Sequence, residues 1–259
     1  MKIEEVLHHY NTPLVAPPYF LRRARFYDRE YLNVLYRTDP EALAAVVPEP
    51  LQFDDPLVRF EIIKMGDVAG YGPYVEAGQA IPVTFQGEKG EYLHAMYLDE
   101  FGATAAGREM GAYPKLPGKP SLVIEEGALV GRLDFGSERV ATATMAYKWE
   151  DMDHEEALEQ VRTPQFGLRI APLRSGGFEQ FSLMRTQITD VVVKGAWAGP
   201  ARLQLNAHVM APLADLPVLE VVNATHVLTD LTLSNFEEVH DYLAHGQPPR
   251  TRPGTGVGS

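Results

Sequence analysis

The 259-residue chain predicts a mainly β fold of the α+β kind: one domain, built on a curled antiparallel sheet or β-barrel with a few short flanking helices. Three observations predict it. Short runs rich in aromatic and β-branched residues recur along the chain, separated by Gly, Pro and Asp. Helical patterns are few, and prolines close most of them. No internal repeat and no linker interrupts residues 1–244, whereas 245–259, with Pro248, Pro249, Pro253 and four glycines, reads as a disordered tail.

The elements follow in order. Ile3, Val6 and Leu7 form a short helical stripe within Lys2 to His9, ended by Pro13. Thr12 to Phe20, with Pro13, Pro17 and Pro18, reads as an irregular arm across the surface or a neighbouring subunit. Arg25 to Tyr36 is a strand by its Phe26, Tyr27, Tyr31, Val34 and Tyr36. Asp39 as N-cap and Pro40 at the first helical position start a helix over Glu41 to Val47. In the strand Leu57 to Ile63, alternation puts Arg59, Glu61 and Ile63 on one face and Val58, Phe60 and Ile62 on the other. Glycines punctuate the region around Tyr74-Val75-Glu76. Ala80 to Phe85 and Tyr92 to Leu98 are strands joined through Gly87-Glu88-Lys89-Gly90, and Ser121 to Ile124, Ala128 to Phe135 and Arg139 to Trp149 continue the run.

Asp153 to Val161 is the clearest helix, with Asp153 as N-cap, Glu155 and Glu156 near the favourable dipole end, and Pro164 beyond it. Gly167 to Ala171, Phe178 to Val193, Arg202 to Val209 and Val218 to Leu233 are strand-like, and Phe236 to Leu243 reads as a last short helix.

Composition narrows the function. A formal net charge of −12 with no basic run argues against nucleic acid or an anionic membrane surface as partner. No apolar run approaches the roughly 20 residues that span a bilayer. Met1 to Val6 is too acidic for a secretory signal, so a cytoplasmic location is expected. With no cysteine there is no disulfide, thiol nucleophile or thiolate metal site. The eight histidines show no metal-ligand spacing, and His208 and His226 read as hydrogen-bonded structural residues. Phosphate-binding glycine loops and the Gly-x-Ser-x-Gly motif of serine hydrolases are both missing.

Lysine and carboxylate chemistry remains. A lysine can attack a ketone to form a Schiff base, whose protonated form withdraws electrons from the neighbouring carbon–carbon bond. The amine must be neutral to attack, and burial among apolar groups favours that form. Among seven lysines, Lys115 stands between Pro114 and Pro117 in Gly111-Ala112-Tyr113-Pro114-Lys115-Leu116-Pro117. Each proline pushes its predecessor into extended backbone, which makes the segment stiff. From these residues alone, a solvated linker and a buried nucleophile both fit.

The segment resembles the active-site segment of the acetoacetate decarboxylase family. Gly107-Arg108-Glu109, Arg29-Glu30-Tyr31, Val58-Arg59-Phe60-Glu61, Glu76-x-Gly78-Gln79-x-Ile81-Pro82-Val83 and Met210-Ala211-Pro212-Leu213 resemble it in the same order, from about residue 10 to 243. The resemblance implies a cone-like sheet and Lys115 as Schiff-base lysine. It sets Arg29, Glu61 and Glu76 as polar catalytic residues, and Phe26, Met96, Tyr113 and Met210 as the pocket wall. It further implies a small β-keto acid substrate, no cofactor or metal, and a large homo-oligomer. Acetoacetate would give acetone and carbon dioxide, with Glu76 handling protons and Arg29 pairing with Glu76 or the substrate carboxylate.

One position departs from the family. Its decarboxylases commonly carry a second lysine after the first, where this chain has Leu116. Adjacent side chains of an extended segment point to opposite sides, so residue 116 is expected to face away from the pocket and anchor in the core. Two other readings keep the lysine pocket: an aldolase–dehydratase condensing pyruvate with aldehydes, and a carbonyl-ligand binder without turnover.

Overall fold

The computed structural model describes residues 1–245. In chain order the elements are α1 (Ile3–Val6), β1 (Arg25–Arg37), α2 (Pro40–Ala44), β2 (Leu57–Met65), β3 (Asp67–Val68), β4 (Tyr74–Phe85) and β5 (Glu88–Leu98). Next come α3 (Phe101–Glu109), β6 (Lys115–Pro117), β7 (Lys119–Glu125), β8 (Ala128–Phe135), β9 (Glu138–Ala146), β10 (Glu150–Asp151) and α4 (His154–Arg162). The chain continues with β11 (Gln165–Pro172), β12 (Phe178–Thr186), β13 (Ile188–Ala198), β14 (Ala201–Leu205), β15 (Glu220–Leu233) and β16 (Glu237–Asp241).

Two sheets result. The larger runs β10-β13-β15-β1-β2-β4-β5-β11-β12-β16, with β3 also on β1 and β6 also on β5; the smaller runs β14-β9-β8-β7. The expected β-rich fold with short helices is present, but the sheet curls without closing into a barrel. Nor is it purely antiparallel, because β5 pairs in parallel with both β6 and β11. Parallel neighbours need a crossover connection, and α3 lies on the path from β5 to β6.

Alternation along β1 and β2 sorts the side chains as the sequence predicts. Leu32, Val34, Tyr36, Val58, Phe60 and Ile62 share one core with Leu129, Leu133, Ala141 and Met145 of the smaller sheet. Tyr31 and Ile63 face the opposite way, into a second core with Phe26, Val227, Leu231 and α4 residues Ala157 and Val161. Each fully buried aliphatic or aromatic side chain contributes about 1.5–3 kcal/mol. Together they offset the several kcal/mol that each buried ion costs. That reserve permits the charged residues that share the second face.

Helix caps form as expected: Asp39 accepts from the Glu41 and Ala42 amides, and Asp153 from those of Glu155 and Glu156. The glycine-punctuated stretch around Glu76 is strand: β4 begins at Tyr74 and runs through Gly78. One local expectation needs correction. Phe236 to Leu243 is not a helix. Glu237–Asp241 instead pairs with β12, whose edge it covers, and Tyr242–His245 is a 3-10 turn. The proline-containing arm lies across the surface of its own chain, one of its two expected placements, with Tyr19 donating to Glu109 at the end of α3 at 2.7 Å. The tail expected from residue 245 lies outside the described residues, save for His245 in that last turn.

Candidate active site

Strand register places the principal residues in one row. Lys115 on β6 pairs with Met96 on β5, Met96 with Gly78 on β4, Gly78 with Glu61 on β2, and Glu61 with Asn33 on β1. The neighbouring row contains Leu98, Glu76, Ile63 and Tyr31. Three strand spacings of about 4.8 Å each therefore separate Lys115 from Glu61, with Met96 and then Gly78 between them. The glycine at 78 is required by the neighbouring backbone. A β-carbon there would lie 2.3 Å from the Ala95 carbonyl oxygen, so β4 and β5 could not pack as they do with any other residue.

Lys115 is aimed inward by its backbone. Its amide donates to the Tyr113 carbonyl at 2.8 Å across Pro114, and its carbonyl accepts from Arg108 of α3 at 3.0 Å. The side chain is 7% exposed. Its Nζ lies 3.1 Å from Glu76 Oε2, without hydrogen-bond alignment, and 5.1 Å from the Tyr113 ring centre. Arg29 Nη2 approaches the other Glu76 oxygen at 3.8 Å, and its guanidinium stacks on Phe26 and Tyr31 at 5.1 and 5.0 Å. Glu76 is thus held between the Lys115 amine and the Arg29 guanidinium.

Glu61 is equally buried, and burial raises its carboxyl above the usual carboxylate range. The Arg59 and Arg29 charges oppose that rise, and the Glu76 charge adds to it. Burial also pushes the Tyr113 hydroxyl up, so it serves as a neutral donor, 3.4 Å from Gln165 Oε1.

These groups surround an inner chamber of about 20 Å³, which contains Phe26, Arg29, Glu61, Glu76, Met96, Tyr113 and Lys115 in its wall. Phe26, Tyr113 and Lys115 also line an outer cavity of about 500 Å³, whose rim includes Arg22, Arg23, Met110 and Phe236. The sequence-derived residues are therefore brought together, with one exception. Met210 is 62% exposed on the turn after β14, where its amide donates to His208 Nδ1, and it does not reach the chamber of its own chain. Tyr74, Leu93, Gln165 and Leu233 complete the wall unpredicted. Gln165 and Leu233 arrive through long-range pairing of β11 and β15, which no local pattern encodes.

Among the described residues, no cluster of three or more His, Cys, Asp or Glu is placed to hold a metal ion, and no helix is long and apolar enough to cross a membrane.

The model of the family described as acetoacetate decarboxylase (ADC) matches residues 11–243. The acetoacetate decarboxylase of Streptomyces nogalater is 55% identical over 244 residues, covering 94% of this chain and all of the relative. That of Clostridium acetobutylicum is 51% identical over 240 residues, covering 93% of this chain and 98% of its own. The solved structure from "Structural Studies of Acetoacetate Decarboxylase" superposes with a TM-score of 0.92 at 51% identity, over 94% of this chain and all of the other. The chain belongs to the acetoacetate decarboxylase family.

Family membership sharpens the question of residue 116. Lys115 and Leu116 do point to opposite sides of β6, but Leu116 is 39% exposed rather than anchored in the core. β6 is an edge strand: among the described residues it pairs only with β5.

Proposed function

We propose that the protein converts acetoacetate to acetone and carbon dioxide through a Schiff base on Lys115. The observation that carries this reading is the Lys115 amine, buried 3.1 Å from Glu76 at the junction of the inner chamber and the outer cavity. Relatives at 55% and 51% identity that carry the decarboxylase name support it.

The chemistry follows from the placement. The neutral Nζ adds to the ketone carbon and water leaves, giving an iminium ion. The bond to the carboxylate breaks, its electron pair moves into the iminium, and carbon dioxide departs. The enamine carbon then takes a proton, for which the Glu76 carboxyl is the nearest acidic group to the amine. Water hydrolyses the product iminium, releasing acetone and the free amine. Arg29 fixes Glu76 and offers its guanidinium to the substrate carboxylate. A positioned acid–base group of this kind contributes typically about 10²–10⁴-fold. The reading also takes the enzyme to be a cytoplasmic homo-oligomer.

The test offers acetoacetate, then adds borohydride. Acetone release together with a reduced adduct on Lys115, both lost in Lys115→Ala, is the expected result. Coupled product from pyruvate plus an aldehyde, without acetone from acetoacetate, would replace decarboxylation with condensation. An adduct at no lysine with either substrate would leave only carbonyl binding.

A further inference from the structure

A second set of buried charges lies behind the chamber. Arg59 sits between two carboxylates, with its Nε 3.6 Å from Glu61 Oε2 and its Nη2 in direct contact with Glu91 Oε2. All three side chains are about nine-tenths buried or more. Glu61 faces the Lys115 chamber; Glu91 does not. A gap of about 20 Å³ lies between them, bordered by Arg29, Asn33, Arg59, Glu61, Glu91 and Gln165 among others. That is room for about one water molecule. Among the described residues, Arg29 Nε and Nη1, Tyr31 Oη, Asn33 Oδ1 and Arg59 Nε are buried there without a hydrogen-bond partner. Such polar atoms are the partners that a bridging water needs.

Beyond the gap, Asn33, Arg59, Glu91, Gln160 and Thr163 also border an outer cavity of about 470 Å³. Asn33 donates to Thr225 and Thr225 to Gln160, each at 3.3 Å, so polar contacts run from the gap to α4 at the surface. This cavity shares no lining residue with the 500 Å³ cavity in front of Lys115. Through shared lining residues the chamber thus adjoins two separate cavities, one in front of Lys115 and one behind Glu91. Both mix charged with apolar residues: Arg22 and Arg23 border the first, and Asp54, Asp55 and Glu156 the second.

The reaction proposed above consumes one proton per turnover: the acetoacetate anion plus a proton gives acetone and carbon dioxide. We propose that Glu91, coupled to Glu61 through Arg59 and the water-sized gap, is the positioning residue of a separate proton-entry route, by which the consumed proton reaches the site without crossing the substrate mouth. The proton leaves the Glu91 carboxyl, crosses the gap on water and arrives on the Glu61 carboxylate, which passes it across the shared chamber to Glu76, the donor to the enamine carbon. A proton from solvent then reloads Glu91 through the Gln160 opening. The inference rests on the decarboxylase reading.

Electrostatics supports the geometry. Burial raises the Glu91 carboxyl to about 7, against the opposing Arg59 charge and with the Glu61 charge adding to the rise. The group therefore exchanges its proton near neutral pH. The charged and titratable neighbours that face it are Arg59 and Glu61 of β2, Tyr31 and Arg29 of β1, Lys89 of its own strand, Glu156 of α4, and Asp54 and Asp55 of the loop before β2.

Glu91→Gln keeps the shape and removes the exchangeable proton. Four readouts are compared with the native protein: kcat, its pH profile, its solvent deuterium isotope effect, and the borohydride trapping rate of Lys115. The expected result is a fall in kcat of about tenfold or more. Trapping stays within about twofold, the isotope effect rises, the alkaline limb near pH 7 is lost, and added imidazole restores the rate in proportion to its concentration. An unchanged kcat and pH profile overturns the proposal. So does a parallel loss of kcat and trapping without imidazole rescue, which marks a merely structural residue. If Glu91→Gln does not fold, Gln160→Leu at the helix surface takes its place with the same two-sided reading. No acetone from the native protein would overturn the decarboxylase reading first, and this inference with it.

Discussion

Gly107 of α3 and the methylene stem of Lys115 occupy adjoining space, such that a β-carbon on residue 107 would lie 2.7 Å from Cδ and 3.0 Å from Cε. The helix that caps the pocket is therefore also the wall that sets where the amine points. Gly107→Ala favours the helix by up to about 1 kcal/mol on propensity alone, yet it displaces the nucleophile. The expected outcome is an unfolding midpoint that holds or rises while kcat falls by about tenfold to a hundredfold. Thermal unfolding and acetone production measured on the same preparation check it.

Glu76 carries the nearest carboxylate to the amine and the nearest to Arg29. Replacing it by Gln keeps the volume and removes the proton donor. We expect kcat to fall by about a hundredfold or more, with less effect on KM, in steady-state kinetics. An equal loss in both would assign Glu76 to substrate binding instead.

Leu116→Lys introduces the second lysine common among the family's decarboxylases. Because residue 116 lies on the outer face of β6, the added ammonium meets solvent and not the pocket. Activity within about twofold of the native chain, with an unchanged pH profile, is the expected outcome. A large rise would show that the adjacent charge does tune the nucleophile.

Arg22 and Arg23 stand at the rim of the outer cavity in a chain of net charge −12. They are placed to draw an anionic substrate toward the mouth. Changing both to Gln is expected to raise KM severalfold at low salt and leave kcat in place. The difference should shrink as ionic strength rises and screens the rim. Kinetics at two salt concentrations reads it directly.

Stability should carry the signature of the rear carboxylate. A glutamate at about 7 in the folded chain and about 4.3 when unfolded binds more protons in the native state between those values. Stability from this group is therefore greatest at the acid end and is lost as pH rises toward 7, by roughly 4 kcal/mol at most. Denaturant titrations at about pH 4.5 and pH 8 should show the native protein losing ground to Glu91→Gln over that interval.

Much of this was legible in the sequence, and the reasons are specific. The alternation in Leu57 to Ile63 separated Glu61 from Phe60 correctly, because a period of two needs only neighbouring residues. The prolines around Lys115 marked a stiff segment, and β6 is one. Helix α3 carries no sequence mark of its own: Gly102 and Gly107, poor helix formers, are close-approach positions in it, against Pro18 and Lys115. Gly78 likewise lies inside a continuous β4. Gln165, Leu233 and the Glu91 pairing depend on which strands become neighbours, and that is fixed by contacts far apart in the chain.

The backbone contact beneath Gly78 has a consequence for how this pocket can change. Residue replacement is the ordinary means by which an enzyme widens or narrows its reach. At 78 that means is closed, since the obstacle is the Ala95 carbonyl and not a side chain that a compensating change could trim. Variation in what the enzyme accepts is thereby displaced to the rim, to positions such as Met110 and Phe236, where size can drift without disturbing the reacting groups. The fold keeps its chemistry constant and leaves its choice of substrate adjustable.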